Sequence, residues 1–117
     1  ASSREYMNVC KRKKIIPIII SKGIFSMAKE SIIQGKIIQW LRSQGYYSLK
    51  LMPAGRAGVP DIIACVEGRF IGIEVKANGN KLTELQQYNQ RLIELAGGKF
   101  ITAYSLEDVQ LQIKGYA

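Results

Sequence analysis

Two acids and a lysine, Asp61, Glu74 and Lys76, are spaced so that one piece of local folding brings them together. Asp61 closes the run Gly58-Val59-Pro60-Asp61, and Glu74-Val75-Lys76 follows a short way downstream. Between them, Ile62-Ile63-Ala64-Cys65-Val66, Glu67-Gly68 and Arg69-Phe70-Ile71-Gly72-Ile73 read as strand, turn and strand. With Glu67-Gly68 as a two-residue turn, Val66 pairs with Arg69, and Asp61 falls opposite Glu74 on one face of the sheet. Lys76, two residues on, points to that same face. Opposed carboxylates of this kind have Cβ atoms roughly 4.5–5.5 Å apart and destabilise a sheet. A hard divalent cation between them turns the repulsion into ligation, and phosphodiester hydrolysis is the chemistry such a set supports. A three-residue loop would shift the register by one and send Glu74 to the other face.

No histidine occurs in the 117 residues. That excludes Ser-His-Asp hydrolysis, His-dependent nucleases and His-ligated zinc, and leaves carboxylates, lysines, glutamine and a hard metal. The length fits one domain, and 47% apolar with 22% charged residues is ordinary globular composition. No apolar run approaches the roughly 18 residues of a membrane-spanning helix. The two cysteines, Cys10 and Cys65, lack metal-ligand spacing and do not point to an oxidising compartment, so a cytoplasmic setting is expected. Cys65 is expected to be a small buried hydrophobe in a core strand.

The net charge of +8 is unevenly spread. Residues 1–26 hold six basic residues and one acid, whereas residues 27–117 hold eleven basic residues and eight acids. The second part is thus only mildly basic, and overall charge alone does not argue for a nucleic-acid partner. Residues 1–26 read as an N-terminal extension. Lys11-Arg12-Lys13-Lys14 before Ile15-Ile16-Pro17-Ile18-Ile19-Ile20 is too short and proline-broken for a secretory signal. The isoleucines belong in an edge strand or a subunit contact. The alternative is a translated leader ahead of a start at Met27, with Lys22-Gly23 encoded by a ribosome-binding-site-like string.

A domain over 27–117 has to position the acids. Ile33, Ile37, Trp40 and Leu41 give Met27–Ser43 a helical stripe ended by Gly45. Tyr46–Met52 reads as a strand, residues 53–58 as a loop, and Asn78–Lys81 as a second loop. Thr83–Ala96 is a helix with Leu85, Tyr88, Leu92 and Leu95 inward, and Lys99–Tyr104 a fourth strand reached by a crossover. Ser105 opens a last helix with Asp108 at the capping-box position. The order is αβββαβα around a small mixed sheet.

Glu30 in a first helical turn would serve the macrodipole, yet its spacing from Ile33 and Ile37 leans it toward the core. Gln34 lies one turn later on the same side. Thr83 and Gln86 form a capping box, which explains Gln86 without any chemistry. Arg56 lies in the glycine-rich loop, and Lys50 and Lys81 flank the same edge, where cations contact a DNA backbone.

Glu30, Arg56-Ala57-Gly58-Val59-Pro60-Asp61, Glu74-Val75-Lys76 and Thr83 with Gln86 together resemble the VRR-NUC branch of the PD-(D/E)XK nucleases, from about Met27 to Val109. The resemblance implies the restriction-endonuclease-like α/β fold and a Mg²⁺- or Mn²⁺-dependent endonuclease. It implies catalytic Asp61, Glu74, Lys76, Gln86 and Glu30. The metal would take Asp61, Glu74, the Val75 carbonyl and, through water, Glu30. Small stand-alone members are typically homodimers that cut branched DNA, Holliday junctions in particular, and a phage origin would suit one so short. A nickase or flap-type nuclease, and an inactive nucleic-acid-binding module, are the alternatives.

Overall fold

The computed structural model describes residues 21–52 and 57–115. The order is α1 (Ser21–Ser43), β1 (Tyr47–Lys50), β2 (Ile62–Val66), β3 (Arg69–Val75), α2 (Glu84–Leu95), β4 (Lys99–Ala103) and α3 (Leu106–Lys114). Strand order follows chain order, with β1–β2 and β2–β3 antiparallel and β3–β4 parallel. The four-stranded sheet is therefore mixed, as the crossover through α2 requires.

The turn at Glu67-Gly68 has two residues. Val66 pairs with Arg69 and Ile62 with Ile73. Both turn residues have positive φ, 51° at Glu67 and 75° at Gly68, the pattern of a type I′ turn that matches strand twist. Glutamate tolerates that conformation poorly, so the pairing of the flanking strands holds it there. Asp61 consequently faces Glu74, and Leu51 N–H donates to the Asp61 carbonyl at 2.8 Å, extending the β1–β2 pairing.

Strand alternation gives the sheet two different faces. One packs Ile62, Ala64, Val66, Ile71, Ile73, Val75, Ile101 and Ala103 against Ile37 and Leu41 of α1 and Val109 and Ile113 of α3. This is the core. The other face carries Asp61 and Glu74 at one end, and α2 lies over its β3–β4 side. There Gly72 is the contact point. A Cβ on it would meet Pro60 Cγ at 2.8 Å and Ile93 Cδ1 at 3.1 Å. The proline that precedes Asp61 thus sits directly on the strand that carries Glu74.

Several expectations change. α1 begins at least six residues before Met27 and crosses the 26/27 boundary without a break. Glu30 is therefore mid-helix, and the first-turn dipole argument does not apply to it. β1 is shorter than Tyr46–Met52. Leu85, Tyr88, Leu92 and Leu95 are exposed, and α2 buries none of its residues. Its inward side is set by Gln86, Asn89 and Ile93, because the helix must bring Gln86 to Glu74. Cys65 is exposed, since it points to the face that α2 leaves open. Asp108 accepts from Tyr104 N–H at 2.8 Å, one residue before the Ser105 cap, so the capping box is not closed. The isoleucine run at 15–20 and Arg56 lie outside the described residues.

Candidate active site

Three acids gather where β2 begins and β3 ends, and each is anchored through one oxygen. Asp61 Oδ2 accepts the Val75 N–H at 2.8 Å. Glu30 Oε1 accepts the Ala77 N–H at 3.0 Å, which ties α1 to the chain just past Lys76. Glu74 Oε1 accepts from Gln86 Nε2 at 3.0 Å. The pattern follows from the backbone. Past the first residue of β2, the N–H groups of Val75 and Ala77 have no ladder partner, and the two carboxylates supply one. The Lys76 N–H between them turns the other way, to the Ala103 carbonyl at 2.9 Å.

The second oxygens are left over. Glu74 is only 4% exposed, and its Oε2 is buried with no hydrogen-bond partner. A buried, unpaired carboxylate oxygen is costly. The Glu74 pKa is accordingly pushed up to about 8, first by burial, then by the Asp61 charge, and further by Glu30. Lys76 pulls in the opposite direction, and the nearness of the Asp61 carboxyl favours the protonated form of Glu74. Glu74 is thus biased toward its protonated form when nothing else is present.

Gln86 has two partners at once. Its Oε1 accepts the Thr83 N–H at 2.9 Å, while its N–H donates to Thr83 Oγ1 at 3.2 Å, closing the capping box. Its side-chain nitrogen is then free for Glu74, so helix cap and site contact fix one amide orientation. Gly58 holds the helix against the site. Its φ is +82°, and a Cβ there would lie 2.6 Å from Leu85 Cγ and 2.8 Å from Asn89 Nδ2.

Of the residues expected at the site, Asp61, Glu74, Lys76, Glu30 and Gln86 are brought together. Gln34 is buried on the same helix, one turn after Glu30. Lys50 and Lys81 are exposed at the same end of the sheet. Sequence reasoning missed Asn80 and Tyr104. The Tyr104 hydroxyl donates to the Asn80 carbonyl at 2.7 Å and closes the loop between Lys76 and Thr83. No spacing rule links residues on those two elements.

Among the described residues, no three Asp, Glu, Cys or His side chains form a ready metal-binding group. Two acids face each other and Glu30 stands behind them on Ala77. The residues nonetheless fit a hard cation, because Glu74 Oε2 is an orphaned anionic donor beside a second carboxylate. Mg²⁺ keeps several waters and needs few protein ligands.

A mixed sheet with helices on both faces, and acids at the end of its central hairpin, defines a restriction-endonuclease-like α/β domain. More narrowly, the chain has the fold of VRR_NUC domains. One solved structure titled "VRR_NUC domain" aligns at TM-score 0.66 and 24% identity, covering 76% of this chain and 98% of that one. Another, titled "VRR_NUC domain protein", aligns at TM-score 0.63 and 21% identity, covering 75% and 87%. No family model and no curated protein matches the sequence.

Proposed function

We propose that this protein is a metal-dependent endodeoxyribonuclease that hydrolyses phosphodiester bonds in branched DNA, with Holliday junctions as its substrate. The observation that carries the reading is the orphaned Glu74 Oε2, buried opposite Asp61 and beside Lys76. Natural proteins rarely leave a buried carboxylate oxygen unpaired unless a ligand completes it.

Asp61, Glu74 and the Val75 carbonyl would hold Mg²⁺ or Mn²⁺, with Glu30 reaching a coordinated water through its second oxygen. When bound, the cation would polarise the scissile phosphate and bring a water to the nucleophilic state near neutral pH. Gln86 keeps Glu74 pointed inward and takes up one of its oxygens, so that the other is presented to the site. Lys76 orients the attacking water and stabilises negative charge as it develops on the phosphate. The anchoring bonds from Val75, Ala77 and Gln86 fix the carboxylates beforehand, which lowers the reorganisation needed during reaction. Lys50, Lys81 and Arg56 would contact the DNA backbone around the opening. A homodimer would present two such sites about a two-fold axis, which suits paired cuts in a symmetric junction.

The test is incubation with a labelled four-way junction and a matched linear duplex, each with Mg²⁺, Mn²⁺ or EDTA. Symmetric paired nicks in the junction with either metal, and none in EDTA, are expected. Metal-independent cleavage, or no cleavage of any branched substrate, defeats the proposal.

A further inference from the structure

The chain between Glu74 and helix α2 borders the acids, yet its own composition is the opposite of theirs. From Val75 to Thr83 it holds two lysines, Lys76 and Lys81, two asparagines and no acid. Asn78, Gly79, Asn80 and Lys81 are all exposed. Such a stretch suits a phosphate backbone. It is also shaped. The Asn80 N–H donates to the Ala77 carbonyl at 3.1 Å and closes a turn, with Gly79 supplying the positive φ, +77°, at its third position.

The end of strand β4 grips this stretch at two points. The Ala103 carbonyl accepts the Lys76 N–H at 2.9 Å, continuing the parallel β3–β4 pairing. One residue on, the Tyr104 hydroxyl donates to the Asn80 carbonyl at 2.7 Å. Tyr104 is itself fixed. Its N–H donates to Asp108 Oδ2 at 2.8 Å, and the Asp108 N–H donates to Ser105 Oγ, the cap of α3, at 3.2 Å. The phenol is therefore carried by the junction of β4 and α3, and it reaches across to the residue before Lys81. Tyr104 is 38% exposed, so its ring adds little to the core. What its hydroxyl does is take freedom from the backbone beside Lys81. A loop without that tie would be ordered only on binding, at a cost in affinity.

We propose that Tyr104 is a positioning residue for DNA binding: through Asn80 it holds Lys81 where a phosphate next to the scissile one passes. The inference rests on the nuclease reading above and adds to it a residue that sets affinity and not the chemical step. That division follows from the hydrogen bonds. Asp61, Glu74 and Glu30 are anchored by the Val75 N–H, the Gln86 amide and the Ala77 N–H, and none of these bonds runs through Tyr104. Lys76 keeps its tie to the Ala103 carbonyl when the phenol hydroxyl is gone.

A double-mutant cycle on the full chain tests the link, with binding to a labelled four-way junction measured in EDTA so that no turnover is needed. Tyr104→Phe keeps the ring and loses one hydrogen bond, and Lys81→Ala loses the charge. Each is expected to weaken binding about 5-fold, and the two together also about 5-fold, because they remove one contact by two routes. The slope of log affinity against log salt should fall by about one in all three variants, as for a lost phosphate contact. In Mg²⁺, Tyr104→Phe should raise KM and leave kcat within about 2-fold of wild type. Losses that multiply to about 25-fold, a salt slope that Tyr104→Phe leaves unchanged, or a fall in kcat at constant KM overturns the proposal. So does a Tyr104→Phe chain whose circular dichroism shows it unfolded, since the tyrosine is then structural. A wild type that binds the junction while the two losses multiply sinks this inference alone. A wild type that binds neither junction nor duplex takes the nuclease reading with it.

Discussion

Gln86 donates to Glu74 at 3.0 Å with the same amide whose oxygen accepts the Thr83 N–H at 2.9 Å. One side chain therefore both starts helix α2 and holds an acid of the site, and the two roles can be separated by substitution. Gln86→Glu keeps an acceptor for the Thr83 N–H but sets a carboxylate against Glu74. Gln86→Ala loses both. The alanine variant should lose about 1 kcal/mol of stability through the cap. Both should raise the Mg²⁺ concentration needed for cleavage by roughly 10-fold or more, the usual effect of removing a residue that orients a metal ligand. Thermal melts and metal-titrated cleavage rates check this. A Gln86→Glu enzyme with wild-type metal dependence would reduce Gln86 to a helix cap.

Asp61→Ala, Glu74→Ala and Lys76→Ala are each expected to lower cleavage by about 100-fold or more, with the fold retained. Asp61→Ala also leaves the Val75 N–H without its acceptor, so its stability should fall by about 1 kcal/mol. Cleavage assays paired with circular dichroism decide the matter. A variant that melts early yet keeps normal activity per folded molecule would make that residue structural.

The raised pKa of Glu74 makes metal-free stability fall with rising pH. A carboxyl held at about 8 in the folded state, against an ordinary 4.5, binds its proton more tightly when folded. Its contribution is complete below about pH 4.5 and is lost as pH climbs through about 8. In EDTA the wild type should therefore be less stable at about pH 9 than at about pH 6. Glu74→Gln should remove most of that loss, because it keeps the volume without the charge. Melting curves across this range, compared between the two proteins, give the answer. Parallel pH profiles would show that Glu74 titrates normally.

Much of this site was legible because strand pairing is a strict rule. Once Glu67-Gly68 is a two-residue turn, alternation forces Asp61 and Glu74 onto one face, and Lys76 with them. The four strands and the crossover followed from turn residues and period. What escaped was the orientation of α2. Its leucines spell an amphipathic helix, and a lone chain would bury them. The folded domain instead turns Gln86 and Ile93 inward, since Gly58 and Gly72 fix where the helix can sit. Cys65 was misplaced for the same reason, because alternation tells which face a residue is on but not whether anything covers it. Glu30 was read against a helix start at Met27, yet α1 starts at least as early as Ser21. The tie between Tyr104 and Asn80 is a meeting of distant elements that no local pattern records.

Gly58→Ala is the sharpest test of how α2 is held. The position has φ +82°, and an added Cβ would lie 2.6 Å from Leu85 Cγ, 2.8 Å from Asn89 Nδ2 and 2.9 Å from the Leu85 carbonyl carbon. Leu85 can swing away, but its backbone cannot move without the helix. Overpacking of this kind costs roughly 1–3 kcal/mol, and the left-handed backbone adds about 1 kcal/mol more. The cheapest relief is to push the first turn of α2 outward, which draws Gln86 off Glu74. Gly58→Ala should thus lose cleavage at low Mg²⁺ by about 10-fold and recover part of it at saturating metal. Gly79→Ala is the control. Its φ of +77° is similar, but nothing lies within 4 Å of its Cβ, so it should be destabilised with unchanged metal dependence. Equal metal dependence in both variants would mean that Gly58 is needed for its conformation alone, and that contact with Leu85 does not position the helix.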